Sequence, residues 1–184
     1  MTKRLFIAIN LPEQIKEELS NLLLNLYEIN QNKSIKWVSK ENLHLTLHFL
    51  GDTAEENIPI LNQSLKPIIK KFTTLNFKFS NTINAFPSLN YPKIIFVEIE
   101  EKNNHIYQLH EKTSEALKKL NYPIDKKAFR LHLTLGRVKL ETKVKIPEWQ
   151  PEISNFQVNT INLMGSQLTP QGPIYTIISQ YNLV

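Results

Sequence analysis

The sequence predicts an α+β fold of two similar lobes built on antiparallel sheet. Strand-like runs outnumber the long amphipathic helices and do not alternate with them as βαβ units would. One pentapeptide also occurs twice, Leu43-His44-Leu45-Thr46-Leu47 and Leu131-His132-Leu133-Thr134-Leu135, 88 residues apart in a chain of 184. An amphipathic helix precedes each copy and a glycine, Gly51 or Gly136, follows it. Self-similarity at nearly half the length is the mark of two related units.

Lys3–Asn10 (KRLFIAIN) reads as a strand that starts almost at the first residue. Asn10, Pro12 and Glu13 then give helix-start signals: a capping side chain, a preset φ and an early acid. Ile15, Leu19, Leu22, Leu26 and Ile29 recur with helical spacing and define one apolar face. A short strand around 35–38, a polar turn and the first motif come next. Residues 53–71 read as helical, with Pro59 and Pro67 blurring the limits. Strand-like runs at 75–80, 83–86 and 93–100 precede a second long helix over about 104–120. A strand at 130–138, a basic connector ending in Pro147, and strands near 156–168 and 173–182 finish the chain. No long linker interrupts it, so residues 1–184 are expected to form one two-lobed domain.

The apolar fraction of 41% supports a sizeable core, and 21% charged residues argue against wholesale disorder. The absence of cysteine excludes a disulfide framework, a thiolate metal site and a cysteine nucleophile. No apolar run approaches the roughly 20 residues of a membrane span. The opening MTKRLFIAINLPEQ has no adequate apolar core or cleavage site for a signal peptide, so a cytoplasmic location is expected. A net charge of +5 and a pI near 9.3 suit an anionic partner such as nucleic acid, or simply solubility. No lysine or arginine run is long enough to act as a basic arm.

Leu-His-Leu-Thr-Leu alternates strictly, which places the leucines on one face of a strand and His and Thr on the other. Two residues along a strand span about 6.6 Å. An imidazole and a hydroxyl at that separation can reach one phosphoryl group, the first moving protons near neutral pH, the second donating a hydrogen bond. If the lobes face one another, two such pairs converge on a single phosphate. A metal reading fails on spacing. His44 and His48 would stand about 13 Å apart on a strand, and the glutamate of a helical HExxH site is missing. Alternation puts His48 beside His44 at the cleft mouth and turns Phe49 into the core. His105 and His110 fall off the apolar stripe of their helix and are expected in solvent.

These residues resemble the 2H phosphoesterases, and within them the RNA 2′,3′-cyclic phosphodiesterases, historically called 2′-5′ RNA ligases. The similarity runs nearly end to end, through RLFIAINLP, WVSKENLHLTLHFLG, NAFPS, FRLHLTLGRV and SQLTPQGPIYTIISQY. The resemblance implies two lobes, each an antiparallel sheet backed by helices, with the active-site cleft between them. It implies that His44 donates a proton and His132 accepts one, that Thr46 and Thr134 hold the phosphate, and that no metal or organic cofactor is needed. The partner is then an RNA or oligonucleotide end carrying a 2′,3′-cyclic phosphate, met by a monomer away from any membrane. Leu131 and Gly136 replace the proline and alanine common in such proteins, at positions that carry no chemistry.

Gly136 can host a β-bulge, which would bring Arg137 onto the face of His132; Arg130 shares that face by spacing alone. Either guanidinium could neutralise a phosphate, or serve only in an ion pair. Tyr175 and Trp37 are candidates for stacking on a base, or for packing. The activity implied is hydrolysis to a 2′-phosphate, with a bell-shaped pH profile centred near neutrality. Ligation in the same cleft and non-catalytic binding of RNA ends are the rival readings, and the intact histidine pair argues against pure binding.

Overall fold

Leucine alternation does make each motif a half-buried strand, and the two strands enter different sheets. The computed structural model describes residues 1–170 and 172–184. β1 (Thr2–Asn10), α1 (Glu13–Ile29) and the short β2 (Ile35–Trp37) lead to β3 (His44–Ala54), which carries the first motif. α2 (Ile58–Ile69), β4 (Leu75–Ser88), β5 (Tyr91–Glu101) and α3 (His105–Lys119) follow. β6 (His132–Val138) carries the second motif, and β7 (Asn155–Val158), β8 (Thr160–Thr169) and β9 (Gly172–Asn182) close the chain. One sheet runs β3-β1-β8-β9 and the other β2-β6-β5-β4-β7, with every described pairing antiparallel. The fold is therefore α+β, as expected. The lobes are interleaved and not successive: the first sheet takes both ends of the chain, the second its middle together with β2.

Local differences have local causes. α1 begins beyond Pro12 without a side-chain cap, so Asn10 ends β1 and does not cap the helix. The runs at 75–80 and 83–86 are one strand, bent where the register shifts between Phe79 and Ile83 and Asn81 takes φ 59°. Pro59 sits in the first turn of α2, where its missing N–H costs nothing, while Pro67 lies within the helix two residues from its end. The expected strand at 156–168 breaks at residue 159 into β7 and β8. Among the described residues, no helix is long and apolar enough to cross a membrane.

Leu45, Leu47, Leu133 and Leu135 are all buried, three of them completely. Each such side chain stabilises the fold by about 1.5–3 kcal/mol, and a one-residue slip would exchange it for His or Thr. Register is thereby fixed. Immediately after each threonine the ladder skips one residue. Ala8 pairs with Thr46 but Ile7 with His48, leaving Leu47 unpaired; Phe96 pairs with Thr134 but Ile95 with Gly136, leaving Leu135 unpaired. The 88-residue offset thus holds for the partner strands as well as for the motifs. Both bulges reverse the alternation beyond them.

Gly136 permits its bulge for a reason of space. A Cβ there would lie 2.7 Å from Cε3 of Trp37, its cross-strand partner on β2. Gly136→Ala should therefore destabilise the protein by about 1–3 kcal/mol through overpacking, measured by urea denaturation. An unchanged midpoint would show that the indole moves aside without cost.

Candidate active site

Between the two sheets lies a cleft of about 1250 Å³, lined by His44 and Thr46 of β3 and by His132 and Thr134 of β6. The structure brings both motifs to one cavity. Each imidazole is held in the same way. Nδ1 of His44 lies 2.7 Å from the carbonyl oxygen of Asn42, and Nδ1 of His132 lies 2.7 Å from that of Arg130. A carbonyl only accepts, so each Nδ1 carries hydrogen and donates, leaving Nε2 as the atom free to give or take a proton.

Aromatic rings buttress both imidazoles. Phe6 and Tyr175 stand 5.1 and 5.2 Å from His44 between centroids, Tyr175 at 88°. Phe86 and Phe96 stand 5.1 and 5.3 Å from His132, at 90° and 71°. Burial holds the pKa of both histidines below the ordinary value. The carbonyl bonds act in the opposite sense. Arg137 and Lys16 add to the depression at His44; Arg130 and Arg137 add to it at His132.

The two arginines differ. Arg130 donates to Glu98 at 2.6 Å and lies over the rings of Phe86 and Phe96 at 5.1 and 5.3 Å, so its charge is partnered although it lines the cleft. Arg137 is turned into the cleft by the bulge at Leu135 and is exposed. Tyr175 of β9 lines the cleft beside His44, and burial raises its phenol pKa. Trp37 packs over Gly136, and its Nε1 is buried without a partner among the described residues, so it is a packing residue.

The bulge at Leu47 overturns the expectation for Phe49, which emerges on the cleft side, 66% exposed, instead of facing the core. His48 does border the cleft, but it is only 5% exposed and packs against α3. His110 is not in solvent either. It lies half-buried between His48 and Phe129, with ring centroids at 4.3 and 4.2 Å and nearly parallel planes. The Thr113 hydroxyl donates to the Leu109 carbonyl at 2.7 Å, so its oxygen accepts from Nε2 of His48 at 2.8 Å. His105 is half-buried beside a separate hollow of about 660 Å³ between α2 and α3 that contains neither motif. Sequence reasoning missed Phe6, Phe86 and Phe96. The 88-residue offset could have found Phe96, since Ala8 and Phe96 oppose the two motif threonines.

The buried His48 has a consequence for stability. Burial first, then the neighbouring His110, pushes its pKa down to about 3, against an unfolded value of about 6.5. Between those values the unfolded chain binds the extra proton. Stability should therefore fall as pH drops from about 6.5 toward 3, by up to about 1.4 kcal/mol per pH unit from this one group. Urea titrations at several pH values should show a shallower pH dependence for His48→Asn than for the unaltered protein; equal slopes would contradict the assignment.

Comparison with known proteins gives a consistent result. The family model for LigT-like phosphoesterases matches residues 9–96 and 97–175. A Methanocaldococcus jannaschii protein named RNA 2′,3′-cyclic phosphodiesterase is 36% identical over 97% of this chain and 99% of its own. One of the same name from Archaeoglobus fulgidus is 33% identical over 94% and 96%. The crystal structure of TT0787 of Thermus thermophilus superposes with TM-score 0.82 at 25% identity, covering 97% of both chains. Escherichia coli LigT, solved with 3′-AMP, shares the fold at TM-score 0.81 and 21% identity over 100% of this chain and 99% of its own.

Proposed function

This chain belongs to the LigT-like phosphoesterases of the 2H superfamily, and from that premise we propose that it is an RNA 2′,3′-cyclic phosphodiesterase that opens the cyclic ester without a metal, by acid–base catalysis between His44 and His132. The observation that carries this reading is the matched pair of imidazoles in one cleft, each with Nδ1 committed to a carbonyl and Nε2 left over.

The proton inventory closes with two imidazoles. Water attacks phosphorus in line with the departing ribose oxygen. His132 takes the water proton and His44 protonates the 3′ oxygen as its bond to phosphorus breaks, leaving a 2′-phosphomonoester. Burial above all, with Arg130 and Arg137, lowers the pKa of His132 as a neutral base requires. His44 is depressed in the same way, so the choice of His132 as base and His44 as acid follows the family resemblance. The histidine that acts as acid must carry its proton, and the anionic ester supplies the charge that counters the depression at His44. Thr46, Thr134 and Arg137 grip the phosphoryl oxygens as charge builds on them. Arg130, held by Glu98, shapes the wall near His132, and Tyr175 forms a side of the nucleoside pocket while supporting His44. The enzyme acts as a cytoplasmic monomer on RNA ends. Ligation differs only in that a ribose hydroxyl replaces water.

His44→Ala and His132→Ala should each lower turnover of a 2′,3′-cyclic nucleotide by about 10²–10⁴-fold while leaving the fold intact by circular dichroism. Near-normal turnover in either variant would sink the proposal. Activity should survive excess EDTA, and a loss reversed by a divalent ion would refute the metal-free mechanism.

The depressed histidines move the expected pH optimum away from neutrality. Both histidines are depressed below the ordinary histidine value in the free enzyme, chiefly by burial. The kcat/KM profile should therefore be a bell centred on the acidic side of 6.5, and the kcat profile should lie at higher pH because bound phosphate favours imidazolium. A kcat/KM maximum above 7 would contradict the electrostatic account.

A further inference from the structure

Lys36 lies on the edge strand β2, one strand beyond the second motif. Its Cα pairs directly with that of Arg137 on β6, so both cationic side chains leave the same face of the sheet as cross-strand neighbours. That face lines the cleft. Arg137 lines it, and so does Val38, which stands two residues past Lys36 and continues the ladder through Val38 N–H to the Leu135 carbonyl at 2.8 Å.

The Lys36 ammonium reaches the opposite lobe. It lies against Gly172, where a Cβ would come within 3.3 Å of Nζ. Gly172 opens β9, the strand that carries Tyr175, and the adjacent Pro173 carbonyl accepts from Nδ2 of Asn42 at 2.9 Å. Lys36 thus stands exposed one strand out from Arg137 and beside Gly172, next to the residues that line the cleft but not among them.

Arg130 is neutralised by Glu98 and Arg4 by Asp52. Lys93 and Lys127, which line the cleft, have no such partner among the described residues, but it is Lys36 that pairs with Arg137 across the strands. Among the described residues, neither Lys36 nor Arg137 has a carboxylate within 4.0 Å. Two cations on facing cross-strand positions, with Cβ atoms about 5 Å apart, can approach one anionic strand from the same face of the sheet. A 2′,3′-cyclic phosphate closes the 3′ end of a strand, so its only phosphate neighbour is the diester on the 5′ side of the same nucleoside.

We infer that Lys36 binds this 5′ phosphodiester, forming a second phosphate subsite beyond Arg137 and selecting RNA ends of two or more nucleotides over mononucleotides. The inference rests on the cyclic phosphodiesterase reading and adds to it a determinant of substrate length.

The test compares kcat/KM for adenosine 2′,3′-cyclic phosphate with that for a diadenosine bearing the same cyclic end. Lys36→Ala should lower the dinucleotide-to-mononucleotide ratio roughly ten-fold, through KM, with Lys36→Glu lower still and Lys36→Arg restoring it. The salt dependence of dinucleotide kcat/KM should become shallower by about 0.7 in log–log slope, as for one lost phosphate contact on a single strand. An unchanged ratio, or an equal change in Lys119→Ala, would overturn the subsite. Absence of turnover of either substrate by the unaltered protein would instead overturn the functional reading, and this inference with it.

Discussion

The site depends on four leucines. Their burial from both motif strands fixes register, and register decides which side chains face the cleft. A single skipped residue after each threonine then adds a device that alternation alone lacks. It brings position +5 of each motif, Phe49 in one lobe and Arg137 in the other, onto the face of the histidine. The two lobes share a backbone solution and differ in what they present there: an apolar ring on one side, a cation on the other.

Proton chemistry follows from the same scaffold. The carbonyl two residues before each histidine takes the Nδ1 hydrogen, so the tautomer is set locally by the main chain that leads into each strand. Rings on both sides exclude water and, with nearby cations, favour the neutral imidazole. On the proposed mechanism an anionic ester would reverse that preference on arrival, making substrate charge part of the acid's readiness to act.

Much of this was legible in the sequence. The doubled pentapeptide exposed the two-lobed architecture, and the leucine pattern gave the facing of His44, Thr46, His132 and Thr134. What escaped was long-range. No local signal reveals that β2 crosses to the second sheet, which puts Lys36 beside Arg137 and Trp37 over Gly136. The bulge at Leu47 defeated strict alternation, so Phe49 left the core for the cleft and His48, though still at the cleft, was buried. The Gly136 bulge was anticipated because glycine marks such sites. At Leu47–His48 no glycine stands to give the same warning. His110 left its expected solvent position because Phe129, from a segment with no regular secondary structure, covers it.

The most direct test of the central claim is a crystal structure with a non-hydrolysable analogue of a 2′,3′-cyclic nucleotide bound. The account predicts Nε2 of His44 and Nε2 of His132 on opposite sides of phosphorus, the former within hydrogen-bond distance of the 3′ position. The hydroxyls of Thr46 and Thr134 should lie on the non-bridging oxygens. A phosphate reached by one motif only, or one bound outside the cleft between the sheets, would contradict it.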